Sequence, residues 1–585
     1  MVYTGDRAQA PNTLRRMRFY GVFFAAPLVF VLAASPNAVG QSVRTASLPP
    51  PDGIIDKNGV PGVLTTDDTL RYQNIFAMQH AGDWIAADHE SSLLGDRLLM
   101  GEVLAQRYLG RHYHASYEEL TGWLRLYADE PDAHAIFALA QKRRPSGAPA
   151  PIRPAATEPA LRFGPANEFA SHVQEDATSI EFEGGDAHQP GADAAGRLSV
   201  GPLPFQHGAS EASQHFALEV IQGSEHGGAD WEAGLAAWRR ERYAEACEHF
   251  ERATRVPGAS PGQIAAAGFW AARSELRNHR PQQVDTWLGI AAQHPHTFYG
   301  LLARRTLGID ATFNFDTGPL SEAHRQLLRG TVPGRRALAL IQVGSMTAAE
   351  ATLRQMAEHG DAALLQAVEA LADRAGMPSL SYQLATVLAR TDASLLDRAM
   401  FPIPRWTPLD GFKVDRALLF ALMRQESQFR SDVRSSSGAL GPMQIMPATA
   451  HSMAQRLSLS SDQRRDIADP AVNLALAQEY IVQLQADDRV GSNLLLLAAA
   501  YNSGPGPIHQ WLGNDSLRSD PLLFLENIPN RETRGFTERV LANYWIYRLR
   551  LGQPTPDLDA LAAGQWPTYT ALDGPGGRGG NYAKN

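Results

Sequence analysis

The chain of 585 residues contains a single cysteine, so no intrachain disulfide can form and every core must be held by packing alone. It has no excess of positive charge: 53 Lys and Arg against 62 Asp and Glu leave a formal net charge of -9, and nucleic-acid binding through a basic face has no support. Neither a metal-ligand cluster nor a phosphate-cradling glycine loop occurs, so no metal and no other cofactor is expected. Alternating strand patterns are missing as well. Long apolar runs are scarce: the run Phe19 to Ala34 is interrupted by Pro27 and is shorter than the roughly 20 residues of a spanning helix. Arg15, Arg16 and Arg18 precede it, and Ala38 and Gly40 stand three and one positions before Gln41, as a signal peptidase requires. The reading is a signal peptide over 1–40, better started from Met17 than from Met1, and export to the periplasm with no stable transmembrane anchor. The alternative is an uncleaved N-terminal anchor. With no cysteine near the cleavage point, lipid attachment there is excluded.

What the chain does have is helical periodicity. In an N-terminal segment over 60–145, Met100, Val103, Leu104 and Tyr108 form one stripe and Leu120, Trp123, Leu124 and Tyr127 the next. From 146 to 225 the sequence turns rich in Pro, Ala and Gly without any sustained period. It carries 3 basic and 11 acidic residues, a local balance of 3 - 11 = -8. Most of the net charge therefore belongs to an acidic linker expected to be disordered. Helical pairs resume over 226–400: Trp231, Leu235 and Trp238 lie at i, i+4 and i+7, and Ala246, Phe250 and Ala253 repeat that spacing after a break at Arg242-Tyr243. The spacing is like that of tetratricopeptide units, with Gly234 and Pro257 near their expected places. Such pairs bury their apolar faces only by stacking, and a stack of this kind is a candidate surface for protein partners. Cys247 falls within this pattern and reads as an inert core residue. A proline-stiffened hinge, Phe401 to Pro408, leads into a carboxy-terminal domain over 411–552; the tail 553–585 is expected to be disordered. The fold class expected is all-α, a helical superhelix followed by a separate helical domain.

One stretch of that last domain carries chemistry. Leu419, Leu422 and Met423 fall at i, i+3 and i+4 of a helix, and the next position on the same apolar face is Glu426. Desolvation disfavours a charged carboxylate, so a Glu in that register should hold a proton near neutral pH and still be able to release it, as a general acid must. The competing reading is a rim ion pair with Arg424 or Arg430. After Phe429 comes a serine run with Gly438 and Gly441, then Pro442, Met443, Gln444, Ile445, Met446 and Pro447. These glycines let backbone approach a ligand closely, and their neighbours offer hydroxyl, amide and thioether groups. Two later segments stand out. The apolar helix from Leu494 ends at Tyr501-Asn502-Ser503-Gly504-Pro505, and Glu526-Asn527-Ile528-Pro529-Asn530-Arg531-Glu532-Thr533-Arg534 leads into an amphipathic helix. Alone, Tyr501 reads as a core tyrosine beside a C-cap and Glu532 as a first-turn acid favoured by the helix dipole.

Taken together, E-S-x-F followed by S-x-x-G-A-x-G-x-M-Q-I-x-P-x-T-A, then A-Y-N-S-G-P, then E-x-I-P-x-x-E-T-R, in that order, resemble the three motifs of the soluble lytic transglycosylases, lysozyme-like enzymes that cut bacterial peptidoglycan. The resemblance implies a lysozyme-like domain behind an α-superhelix, with glycan strands as substrate. It implies Glu426 as catalytic acid and base, and Ser435, Gln444, Met446, Tyr501, Asn502 and Glu532 as lining the glycan and peptide site. Pro442 stands where the family carries Leu, and Ser503 where it carries Ala. The implied reaction protonates the oxygen between N-acetylmuramic acid and N-acetylglucosamine, then uses the sugar's own 6-hydroxyl to close an anhydro ring. A lysozyme-type hydrolase of the same fold and a wall-bound scaffold without activity are the alternatives.

Overall fold

A computed structural model describes residues 59–154, 228–316, 320–388, 396–513 and 519–573. The signal segment 1–40 and nearly all of the acidic linker lie outside the described residues. Every regular element within them is a helix, and pairing of extended backbone is limited to isolated bridges such as Arg434 with Leu440. No described helix is long and apolar enough to cross a membrane.

The helices start where the sequence supplies a cap. Ser116 and Ser260 form capping boxes with Glu119 and Gln263, each satisfying donors that the first turn leaves without partners. The paired pattern from Trp231 becomes two antiparallel helices, Ala229–Arg239 and Tyr243–Ala253. Gly234 sits where they cross, and a Cβ there would lie 2.7 Å from the Phe250 ring. The next helix, Pro261–Arg277, brings Trp270 against Phe250 and Trp238.

The cores do not follow the partition read from the sequence. One cluster joins Val60 through Val103 to Leu320 through Leu388, so the N-terminal segment shares its interior with the second half of the repeat block. Gln342 ties them: its amide nitrogen donates to the Leu64 carbonyl at 2.9 Å, and its oxygen accepts from the Val63 and Leu64 N–H groups at 3.0 Å. A smaller cluster occupies Ala105 to Ala140. The third runs from Trp231 to Ala303 and continues through Ala417 to Tyr569, so the first half of the repeat block packs directly onto the carboxy-terminal domain. Helix pairs bury against whichever apolar face lies nearest in space, and periodicity says nothing about which face that is.

The expected disordered tail from 553 is corrected over 553–573. Pro556–Ala562 is a helix with Leu558 and Leu561 buried. Beyond it the Pro567 carbonyl accepts from Leu494 N–H at 2.8 Å, and Tyr569 N–H donates to the Ser492 carbonyl at 2.7 Å. Thr555-Pro556, a helix-start signal followed by leucines three apart, was the cue to this helix. The segment matters because it anchors the helix Arg416–Ser427. Asp415, its N-cap, accepts from Ala417 N–H at 2.8 Å and Leu572 N–H at 3.0 Å, while the Tyr569 hydroxyl accepts from Asp415 N–H at 2.9 Å. Arg548 completes the anchor in an ion pair of 3.2 Å whose two side chains are fully buried.

The Gly234 crossing yields a stability prediction. Gly234→Ala must push Phe250 off its packing against Trp231 and Trp270, and it should destabilise the chain by about 1–3 kcal/mol. Guanidinium unfolding measures this; an unchanged midpoint would mean the two helices do not cross at that glycine.

Candidate active site

Glu426 sits in the last turn of the helix Arg416–Ser427. The apolar register expected around it is present, with Leu419, Leu422 and Met423 all buried; Leu418, Phe420 and Ala421 are buried too, so the middle of this helix is enclosed on every side. Glu426 keeps part of its surface open. Enough protein surrounds the carboxyl for burial to push it up from 4.5 to about 8, and the charge of Glu532 acts in the same direction. Both arginines of the competing reading are engaged elsewhere. Arg424 donates to the Met400 carbonyl at 2.8 Å and to Asn543 Oδ1 at 2.7 Å while lying over the Phe401 ring, and Arg430 pairs with Asp432 at 3.5 Å. Among the described residues no cation pairs with Glu426, the arrangement that keeps an acid protonated near pH 7.

The loop after Glu426 turns away sharply. Gln428 and Phe429 adopt φ of 53° and 65°, and Gln444 adopts 45°, left-handed values that side-chain-bearing residues seldom take and that the surroundings must enforce. Three contacts enforce them. Phe429 is fully buried with its ring edge-on to Tyr382. The Ser427 hydroxyl donates to the Pro442 carbonyl at 2.7 Å. Asn473, 0% exposed, accepts from Met443 N–H at 2.8 Å and donates to the Leu440 and Ile467 carbonyls at 2.9 and 3.0 Å. Gly441, at φ 74°, lets Asn473 in: a Cβ there would lie 2.5 Å from the Asn473 amide nitrogen. Pro442 costs this loop no hydrogen bond, because the flanking Gly441 and Met443 N–H groups make the contacts to Val433 and Asn473.

The remaining residues divide by what they touch. Tyr501, buried at the end of the helix Leu494–Ser503, donates its hydroxyl to the Met443 carbonyl at 2.9 Å. Burial, then the charge of Glu426, holds that phenol well above its ordinary range, so it remains a neutral donor. Gln444 turns its amide inward onto the Gly441 carbonyl at 2.8 Å. Asn502 accepts from the Thr533 hydroxyl at 2.7 Å, which fastens the first turn of the helix Arg531–Arg550, with Glu532 in it, to the end of the tyrosine helix. Ser435 is buried, and its hydroxyl oxygen accepts from Ala439 N–H at 2.9 Å within the turn; Met446 is 38% exposed at the start of the helix Pro447–Arg456. Among the described residues no hydrogen bond or ring contact joins either of them to Glu426.

Sequence reasoning did not single out Asn473 or the Asp415–Arg548 pair, and Ser427 entered it only as the serine of the E-S-x-F motif, without a role. For Asn473 the signal was present: a lone amide within the apolar run Val472 to Ala477 must be satisfied inside the protein. For Arg548 nothing in the local sequence distinguishes it from a surface polar residue.

Residues 408–523 match the family described as Transglycosylase SLT domain. The soluble lytic murein transglycosylase of Escherichia coli K12 is 35% identical over 158 residues, 27% of this chain and 24% of that protein. The protein of the same name from Salmonella typhimurium LT2 is 37% identical over 145 residues, 24% of this chain and 22% of that one. The matched region thus spans about a quarter of the length of these curated relatives. Similar solved structures include an inactive mutant of the lytic transglycosylase Slt from Pseudomonas aeruginosa, 26% identical over 56% of this chain and 52% of that one with a TM-score of 0.44. The 70 kDa soluble lytic transglycosylase of Escherichia coli is 16% identical over 86% of this chain and 99% of that one, with a TM-score of 0.47.

The state of Glu426 makes a stability prediction that needs no substrate. At pH 7 an unfolded glutamate is ionised, whereas folded Glu426, raised to about 8, takes up a proton; stability from this group is full below the unfolded value of 4.5 and is lost as pH rises through about 8. Glu426→Gln removes the penalty. Its Tm should exceed that of the parent at pH 7 by several degrees, for about 3 kcal/mol, and match it at pH 4. A lower Tm at pH 7 would mean that the carboxylate is ionised and paired.

Proposed function

We propose that this chain, which carries a Transglycosylase SLT domain over 408–523, is an exported lytic transglycosylase that cuts the β-1,4 bond between N-acetylmuramic acid and N-acetylglucosamine in peptidoglycan, leaves 1,6-anhydro ends and serves in remodelling or turnover of the wall from the periplasm. The observation that carries the reading is Glu426: a carboxyl held up to about 8 by burial, with no cation paired to it among the described residues, at the end of the enclosed helix.

Glu426 protonates the glycosidic oxygen as the bond breaks. The cationic centre left on the muramoyl ring is supported by that sugar's own N-acetyl group, so no second carboxylate has to attack. Glu426, now ionised, takes the proton of the 6-hydroxyl as its oxygen closes on C1. That oxygen is already part of the bound sugar, and its proximity replaces a diffusing water. Tyr501, held on the Met443 carbonyl and close enough for the Glu426 charge to act on it, helps to keep bulk water from the carboxyl. Gln444, Asn502 and Glu532 line the glycan and peptide site, and Met446 gives an apolar rest for a sugar face. Ser435 acts at one remove, by holding the turn through Ala439.

Purified sacculi digested with the full chain test this. Wild type should release muropeptides with anhydro ends, each lighter by one water than a hydrolysed end, and Glu426→Gln should lower turnover by at least about a thousandfold without loss of fold. Activity should fall as pH rises through about 8, as the acid loses its proton. Reducing N-acetylmuramic acid ends in the fresh digest would replace this mechanism with hydrolysis, with Glu532, whose charge reaches Glu426, examined first as its base and the exposed Asp432 second.

A further inference from the structure

The superhelical segment reaches the catalytic carboxyl through the short helix Pro521–Glu526, which stands directly before the loop to Glu532. Both of its ends are gripped by residues more than two hundred positions earlier. At its start, Asp520 caps Leu522 and Leu523 and pairs with Arg273 at 2.7 Å; Arg273 lies flat on Trp270, 4.6 Å from the ring centre. At its end, the buried Tyr299 hydroxyl donates to the Glu526 carboxylate and accepts from Trp270 Nε1 at 3.1 Å. Glu526 passes the grip on: its carbonyl accepts from Arg534 Nη1 at 3.1 Å and its carboxylate lies 3.8 Å from Arg534 Nε. Arg534 is two residues beyond Glu532 in the same first helical turn. Nothing about peptide geometry requires a tyrosine hydroxyl at this place, since Phe would fill the same aromatic packing against Phe269 and Phe298.

We propose that Tyr299 and Arg273 are positioning residues for glycan cleavage, holding Glu532 at a set place beside Glu426 through the clamped helix Pro521–Glu526 and Arg534. This rests on the lytic reading above and extends it: the superhelix helps to set the electrostatics of the acid. Among the described residues, the charged and hydrogen-bonding groups around this first turn include Glu426 with Tyr501 beside it, Asn530 and Asn502 on Thr533, Arg539 on Gln425, and Glu232, 4.0 Å from Arg531; Glu538 also faces Tyr299. Loosening the turn lets the Glu532 charge withdraw, and Glu426 then ionises at lower pH.

The test uses the full chain. Tyr299→Phe, folded but with a lower Tm because buried Glu526 and Trp270 each lose a partner, should lower kcat/KM by about fivefold, move the alkaline limb of the pH profile to lower pH, and have no further effect in a Glu532→Gln background. Arg273→Gln, at a part-exposed site, should do the same. Carbon-13 NMR of labelled glutamate carboxyls, with Glu426 identified by its loss in Glu426→Gln, reads the displaced titration without any turnover. An unmoved Glu426 midpoint in both variants, or losses that multiply with Glu532→Gln, overturns the clamp. Wild type that cleaves no glycan refutes the lytic reading instead, and the NMR midpoint still decides the clamp.

Discussion

The site depends on one electrostatic constraint: a carboxyl kept among protein atoms with no cation among the described residues to neutralise it. An ionised Glu426 would lose most of its hydration and gain nothing in return, so the proton stays on. The neighbouring arginines could have removed that constraint, and the fold prevents it. Arg424 is drawn to the Met400 carbonyl, Asn543 and the Phe401 ring, and Arg430 to Asp432. The charge of Glu532 then pushes the same way.

Holding a carboxyl in this condition requires a rigid frame, and the frame is polar where it must be. The helix Arg416–Ser427 is fixed at its start by Asp415, Arg548 and Tyr569, and at its end by Ser427 on the Pro442 carbonyl. A fully buried ion pair such as Asp415–Arg548 adds little net stability over an apolar pair, yet breaking it is costly; it fixes direction more than it adds strength. The left-handed backbone at Gln428, Phe429 and Gln444 is maintained by Asn473 and by the aromatic contact with Tyr382. That last residue comes from the helix Pro378–Leu388, so the repeat segment supports the loop after the acid as well as the turn that carries Glu532.

Much of this was legible in the sequence, and the limits have physical causes. An all-helical chain followed from periodicity, and Glu426 stood out because a carboxylate in an apolar register was followed by the glycine and serine loop of the motif, although alone it would read as a rim ion pair. Tyr501, Asn502 and Glu532 entered only through the resemblance; read alone, a tyrosine at a C-cap and an acid in a first turn are ordinary. Ser435 carries the motif's hydroxyl, but its oxygen accepts a bond within its own turn, a distinction that depends on loop conformation and not on residue type. The packing of residues 60–103 onto 320–388, and of 231–303 onto the carboxy-terminal domain, was not legible because amphipathic helices advertise a face and not its partner. The helix Pro556–Ala562 was missed for a different reason: glycine and proline nearby masked a short but well-marked start.

The central claim is that Glu426 is a neutral acid at physiological pH because it is desolvated. Infrared difference titration of the wild-type chain, with the Glu426→Gln spectrum subtracted to isolate one carboxyl, measures that state directly. The account predicts a protonated-carboxyl band at pH 7 that disappears with a midpoint of about 8; a band already gone at pH 7, with a midpoint near the ordinary 4.5, would contradict it.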